Sequence, residues 1–493
     1  MIDRLSPDAS RRQAGDGSTR PSNQWWRGAG SVFSINQRGR RWTIGALCIF
    51  GLPPLVVGAS ALTSAAPVQP EPVTAAVVGA ATTPIRHVVV IYKENRSFDE
   101  YFGTFPGARG ATTALTSSGQ VVPLARTPDP VPNDLGHTPG DFKKAYDGGR
   151  MDGFDKEAGA VSATGQPLAL SQMTESQIPN YWAYARTYGL ADNAFADWKG
   201  ASFANNLYEI SGQAGVYDPS LAGATVYMNP ASPTVARLKY WGCDDPADTR
   251  VQMRRPDGSL YKTFPCFGFR ALPNILAEHQ ISWNFFANAG TNNFRHNALD
   301  ALTPVRRNAA LWSRIQPTST FMSEAKAGTL PAVSWLVANR NEHPVDTSCA
   351  GENETVSWVN AIMSGSDWSS TAIFVIWDEW GGFYDHVKPP QIDGQSFGFR
   401  VPLLVISPYT MRGTSSNGGY ISHTLYSNVS TLKFIEANWQ LPSLTPHDAA
   451  ANSIMDMFDF SAATRRPKLM LTPRTCPALT TAQRRTLKAE NPD

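Results

Sequence analysis

The feature that most constrains this chain is the run His87, Val88, Val89, Val90, Ile91, Tyr92, bounded by Arg86 and Lys93. It is short, apolar and β-branched, the signature of a strand buried inside a sheet. Comparable runs recur at 332–337, 372–377 and 401–406. Helical patterns lie between and after them, as with Leu425, Val429, Leu432 and Ile435 at spacings of four, three and three. Strands alternating with helices predict an α/β fold, a parallel sheet covered on both faces. No internal repeat is found.

The 493 residues leave room for one or two domains. Only 17% are charged and 42% are apolar, which supplies a sizeable core and excludes global disorder and coiled coils. The formal charge of +2 divides unevenly: residues 1–66 hold 8 Arg and 3 Asp, so the remainder carries −3. Such a balance gives no support to a nucleic-acid surface. Arg40 and Arg41, followed by a soft apolar run from Trp42 to Leu62, read as an export signal of weak twin-arginine type, with a membrane anchor as the alternative. The expected organisation is a signal or anchor over 1–66, a Pro- and Ala-rich linker over 67–84, a catalytic domain over 85–460 and a basic tail over 461–493. Past Cys48 in the leader, four cysteines remain, an even number suited to an oxidising compartment. Cys243 with Cys266 is the first expected disulfide and Cys349 with Cys476 the second, although four cysteines allow three pairings.

In open parallel sheets, ligand-binding groups project from the carboxyl ends of strands. The run ending at Tyr92 is followed by Lys93, Glu94, Asn95 and Arg96, and the run ending at Trp377 by Asp378, Glu379, Trp380, Gly381 and Gly382. Each delivers a carboxylate beside a second oxygen donor. That set of hard ligands suits one divalent cation.

At this point a resemblance becomes specific. The stretch ENRSFDEYFGTFPGA resembles the opening motif of the phosphoesterase family of bacterial non-specific phospholipases C and acid phosphatases, within the alkaline phosphatase superfamily. DLGHTPGDF, the YWAYARTYGLADNAFADWKGASFANNLYE block, NEHP, WDEWGGFYDHVKPP and ISHTLYSNVSTLKF follow in the family's order, over about 85–460. The resemblance implies a three-layer α/β sandwich around a mostly parallel sheet, as in alkaline phosphatase. It places Glu94, Asn95, Asp378 and Glu379 at the metal, where many relatives have Asp in place of Glu379. Ser202 falls at the nucleophile position and joins the metal set. Relatives usually continue with Pro and then Asn followed by His or Arg, whereas this chain reads Phe203, Ala204, Asn205, Asn206. Ser211 is the neighbouring alternative, and helix N-capping is the structural alternative for Ser202.

His137 in DLGH and His343 in NEHP match catalytic positions of the family; Asn205, His386 and His423 match motif positions assigned here to substrate binding. The acid phosphatase branch carries a mid-chain histidine, where this chain has Asn288 and Asn292 with His296 nearby. The expected activity is hydrolysis of phosphate esters through a covalent phosphoserine, on a phospholipid or a small phosphate ester, with transient membrane-surface contact. A phosphomonoesterase of acid type is the alternative, the short stretch after Phe460 argues against a haemolytic phosphatidylcholine specialist, and an inactive surface binding protein is the rival from another class. No P-loop or GxSxG elbow occurs. Trp182, Trp241, Trp283, Trp335 and Trp358 are candidates for an aromatic headgroup box or for core packing.

Overall fold

A computed structural model describes residues 79–216, 223–287, 296–338, 342–392, 395–413, 418–461 and 465–490. The expected leader and most of the linker lie outside them. The main sheet is built on β1 (His87–Lys93), β2 (Gly189–Phe195), β3 (Trp283–Phe286), β4 (Ile315–Gln316), β5 (Val333–Val337), β6 (Thr371–Trp377), β7 (Arg400–Ile406), β8 (Tyr420–Ser422) and β9 (Tyr426–Ser427). Its order is β4-β3-β5-β1-β6-β7-β2-β8, with β9 continuing along β2. All pairings are parallel except those of β7, which runs against both β6 and β2. The run 401–406 is therefore a strand as expected, but the one that reverses direction.

Alternation along β1 explains why both faces are covered. Val88, Val90 and Tyr92 point into one core, and Val89 and Ile91 into the other. The first core is closed by α2 (Ser202–Ser211), α3 (Leu272–Glu278) and α6 (Ser430–Trp439), the second by α1 (Pro179–Thr187), α4 (Thr318–Ala327) and α5 (Ser348–Ser364). This is a three-layer α/β sandwich. A third apolar cluster joins Leu135, Phe142 and Phe154 to Trp380, Phe383 and Phe399, so the segment before α1 packs onto the loop after β6.

The five tryptophans are core residues rather than one box. Trp182 and Trp358 lie in the second core, and Trp241, Trp283 and Trp335 in the first. Both expected disulfides form, Cys243–Cys266 and Cys349–Cys476. The second ties the tail to α5, reinforced by Asn353 Nδ2 donating to Arg474 O at 2.7 Å and Asn360 Nδ2 to Leu471 O at 2.7 Å. Among the described residues no helix is long and apolar enough to cross a membrane.

Candidate active site

Lys93 pairs with Trp377 in the parallel β1–β6 register, so the next residues, Glu94 and Asp378, leave adjacent strands side by side. Asp378 Oδ1 accepts the backbone amides of Asn95 at 3.0 Å and Glu379 at 2.7 Å, which fixes the two turns to each other. The Gly381 amide donates to Glu379 Oε2 at 3.1 Å. Asn95 and Gly381 both have φ near 60°, and a Cβ on Gly381 would lie 2.3 Å from Asn95 O, so only glycine permits this approach.

Ser202 arrives from the third strand end on this edge, that of β2. It is the first residue of α2, preceded by Ala201 at φ 67°, which has no side-chain capping bond. The N-cap alternative therefore does not apply to Ser202. The rival Ser211 is spent inside the helix, its Oγ donating to Leu207 O at 2.6 Å. A positive-φ Gly200, with no room for a Cβ beside His137 O, lets the turn before Ser202 press against the His137 segment. The Ser202 hydroxyl and the Asn95 amide draw down the Asp378 carboxyl, yet burial and the neighbouring Glu379 and Glu94 carboxylates hold it well above the usual range. Burial likewise raises Glu379 to about 7, although His137 opposes the shift.

His137 bonds Leu135 O through Nδ1 at 2.7 Å and faces Asn95 Nδ2 through Nε2 at 3.3 Å. The His343 ring stands edge-on to it, with centroids 5.6 Å apart. Burial alone would lower His137, but Glu379 and Asp134 outweigh it and bring it to about 9. Asp134 lies between the two imidazoles, 3.8 Å from His137 Nδ1 and 3.9 Å from His343 Nε2.

The donor set can be tested against a cation from its own hydrogen bonding. Asn95 Oδ1, Asp378 Oδ2 and Glu379 Oε1 are buried oxygens with no hydrogen-bond donor. Buried polar atoms are normally satisfied, and orphaned oxygens on these neighbouring turns are of the type a hard divalent ion takes. Among the described residues, the carboxylates and imidazoles whose ligand atoms lie within 4.8 Å of one another are instead those of Asp134, His137 and His343 and of Asp99, Asp385 and His386.

The expected substrate-binding residues have other partners. Asn205 Oδ1 accepts from Trp198 N at 2.8 Å and its Nδ2 donates to Trp198 O, so it staples the turn before α2. His386 pairs with Asp99 at 2.6 Å and His423 with Asp192 at 2.9 Å, both around the buried Arg400 guanidinium, which bonds Asp99 and the Asp192 carbonyl. These imidazoles find buried carboxylates that motif matching does not reveal. Sequence reasoning assigned no role to Asp134 and left His296 open. Asp134 sits three residues before His137, a spacing that was legible. His296 forms an ion pair with Glu94, takes a 3.5 Å contact from Asn206 Nδ2 and packs its ring on Trp241 at 5.4 Å. Asn288 and Asn292 lie outside the described residues.

Two adjacent strand ends thus bring Glu94, Asn95, Asp378 and Glu379 to one edge of the sheet, where Ser202 bonds Asp378 and His137 faces Asn95. The profile of the Phosphoesterase family matches residues 85–442, and the chain belongs to that family. It is 27% identical to phospholipase C A of Mycobacterium tuberculosis, over 78% of this chain and 80% of that protein. It is 26% identical to the non-hemolytic phospholipase C of Pseudomonas aeruginosa, over 78% of this chain and 58% of that one. It is 24% identical to non-specific phospholipase C6 of Arabidopsis thaliana, over 80% and 76%. Among solved structures, a protein in the alkaline phosphatase superfamily from Vibrio parahaemolyticus aligns over 77% of this chain and 74% of that one, at TM-score 0.30 and 10% identity, values too low to support inference.

Proposed function

We propose that the chain is an exported, metal-dependent phosphoesterase of phospholipase C type in which Ser202 is the nucleophile. The observation that supports this reading is the set of unpartnered buried oxygens of Asn95, Asp378 and Glu379, on turns joined through Asp378, with the Ser202 hydroxyl bonded to that same Asp378. Glu94, Asn95, Asp378, Glu379 and Ser202 would hold one divalent ion, which supplies charge neutralisation and acidifies the serine hydroxyl. Ser202 Oγ, passing its proton to the Asp378 carboxylate it bonds, forms a bond to phosphorus as the bond from phosphorus to the leaving alcohol breaks. The positive end of the α2 dipole favours the charge on the phosphoryl oxygens. His137 and His343, turned toward one another across Asp134, are suited to donate the proton that the leaving oxygen takes up. Water then attacks phosphorus, the Oγ–phosphorus bond breaks and the serine regains its proton.

With a phospholipid the products are a phosphorylated headgroup and diacylglycerol, and the names of the relatives favour that substrate. Two disulfides agree with an oxidising compartment, and the Arg40–Arg41 leader with export. Purified protein is assayed on p-nitrophenylphosphorylcholine and p-nitrophenyl phosphate with and without divalent metal. Metal-dependent release from the diester is expected. Preference for the monoester would mark an acid phosphatase, and no release from either would return the chain to a binding role.

A further inference from the structure

The pleat of β1 sends Lys93 to the opposite face of the sheet from Glu94, into the second core. There its ammonium is fully buried, 2.9 Å from Glu342 Oε1 and 3.1 Å from Gly351 O. Glu342 is equally buried, and the same carboxylate accepts Tyr181 Oη at 2.5 Å, Tyr101 Oη at 2.7 Å and Trp377 Nε1 at 3.3 Å. One anion thus receives four donors from four separate segments. A buried charge requires such compensation, but compensation alone does not explain why the donors come from segments that bear the candidate site.

Two of the segments that meet on Glu342, and Glu342 itself, are one residue away from that site. Lys93 precedes Glu94, Trp377 precedes Asp378, and Glu342 itself precedes His343. Tyr101 Oη also accepts Arg96 Nε at 3.1 Å, and Arg96 follows Asn95. Glu342 adopts φ 79°, a left-handed conformation unfavourable for a residue with a Cβ. Its backbone is therefore held by the carboxylate's partners, and that same backbone aims His343 at His137. Conformations of this kind persist only where surrounding contacts over-determine them.

We infer that Glu342 is a positioning residue: its buried carboxylate sets three site-bearing segments in register and fixes the His343 ring against His137. Its effect on turnover rests on the reading given under Proposed function, whereas its effect on ring position does not.

The test uses Glu342→Gln in the full chain, with Tyr181→Phe, which removes one bond to the same carboxylate, should the first variant fail to fold. Histidine ring signals are recorded by NMR and assigned with His343→Ala. The His343 and His137 signals should shift while that of His279 stays. On the phosphodiester, kcat should fall on the order of tenfold or more with KM nearly unchanged, as for a misplaced catalytic group. In a His343→Ala background the same substitution should add less than about twofold, because coupled effects are not additive. A folded variant whose His343 signal stays in place overturns the inference, as does a full loss of turnover that persists without His343. Shifted rings together with normal turnover in His343→Ala would leave the positioning role standing and remove His343 from the proposed chemistry.

Discussion

Replacing Gly381 by Ala perturbs the site by an amount the structure defines. The added Cβ would meet Asn95 O at 2.3 Å, Asn95 C at 2.6 Å and Asn95 Cβ at 2.7 Å. Ordinary contact begins near 3.4 Å, so the two turns must part by about 3.4 − 2.3 ≈ 1.1 Å. They carry Asn95 on one side and Asp378 and Glu379 on the other. A displacement of about 1 Å in a catalytic constellation costs roughly 10²-fold in rate. The conformational penalty is smaller: φ of 64° imposes on a residue with a Cβ about 1–2 kcal/mol. At roughly 2.1 cal/mol/K per residue over about 400 folded residues, that lowers Tm by only about 1–2 °C. The overlap itself adds about 1–3 kcal/mol, so the expected result is a large fall in kcat/KM and in bound metal with a fall in Tm of only a few degrees. Turnover, metal analysis and calorimetry on one preparation read all three. Near-normal turnover at unchanged metal content would refute the idea that this contact sets the spacing of the ligand turns.

Ser202→Ala should lower kcat on the order of thousandfold, since electrostatics without a nucleophile leave residual catalysis, and should barely move Tm because the side chain caps nothing; normal kcat would redirect the assignment to water as the attacking group. Asp378→Asn keeps an oxygen for the Asn95 and Glu379 amides but removes charge, so metal content and turnover should fall together while the circular dichroism spectrum persists; full activity in metal-free protein would exclude Asp378 as a ligand. Glu100 is raised from 4.5 to about 8 by burial, which outweighs the Arg96 guanidinium 3.7 Å away. The folded protein then holds the extra proton between those values, so stability should decline as pH rises from about 4.5 to 8, and Glu100→Gln should flatten that decline in denaturant titrations. An equally steep decline in the variant would assign it to another group.

The order of Val, Ile and aromatic residues was sufficient to place β1, β5, β6 and β7, because a strand buried on both faces needs an unbroken apolar run. Glu94, Asn95, Asp378 and Glu379 could be singled out as candidates for a related reason: they are the first oxygen donors past two such runs, and parallel neighbours must end at the same edge. The strand β2 was not legible. Its sequence, Gly-Leu-Ala-Asp-Asn-Ala-Phe, has little β propensity and is a strand because β7, β8 and β9 supply its hydrogen bonds. Nor could local pattern give the direction of β7, which depends on how the chain crosses the sheet between 377 and 400. His296 pairs with Glu94 across about 200 residues of chain, and Glu342 gathers Lys93, Tyr101, Tyr181 and Trp377 from four separate segments. His386 and His423 show the reverse case, in which a suggestive motif residue is claimed by a buried carboxylate. The sequence alone determined which residues must be buried in strands and which donors come after them. Which charge meets which was decided by tertiary structure, because hydrogen bonds and ion pairs depend on distances of a few ångströms that only the packed sheet and its two helical layers define.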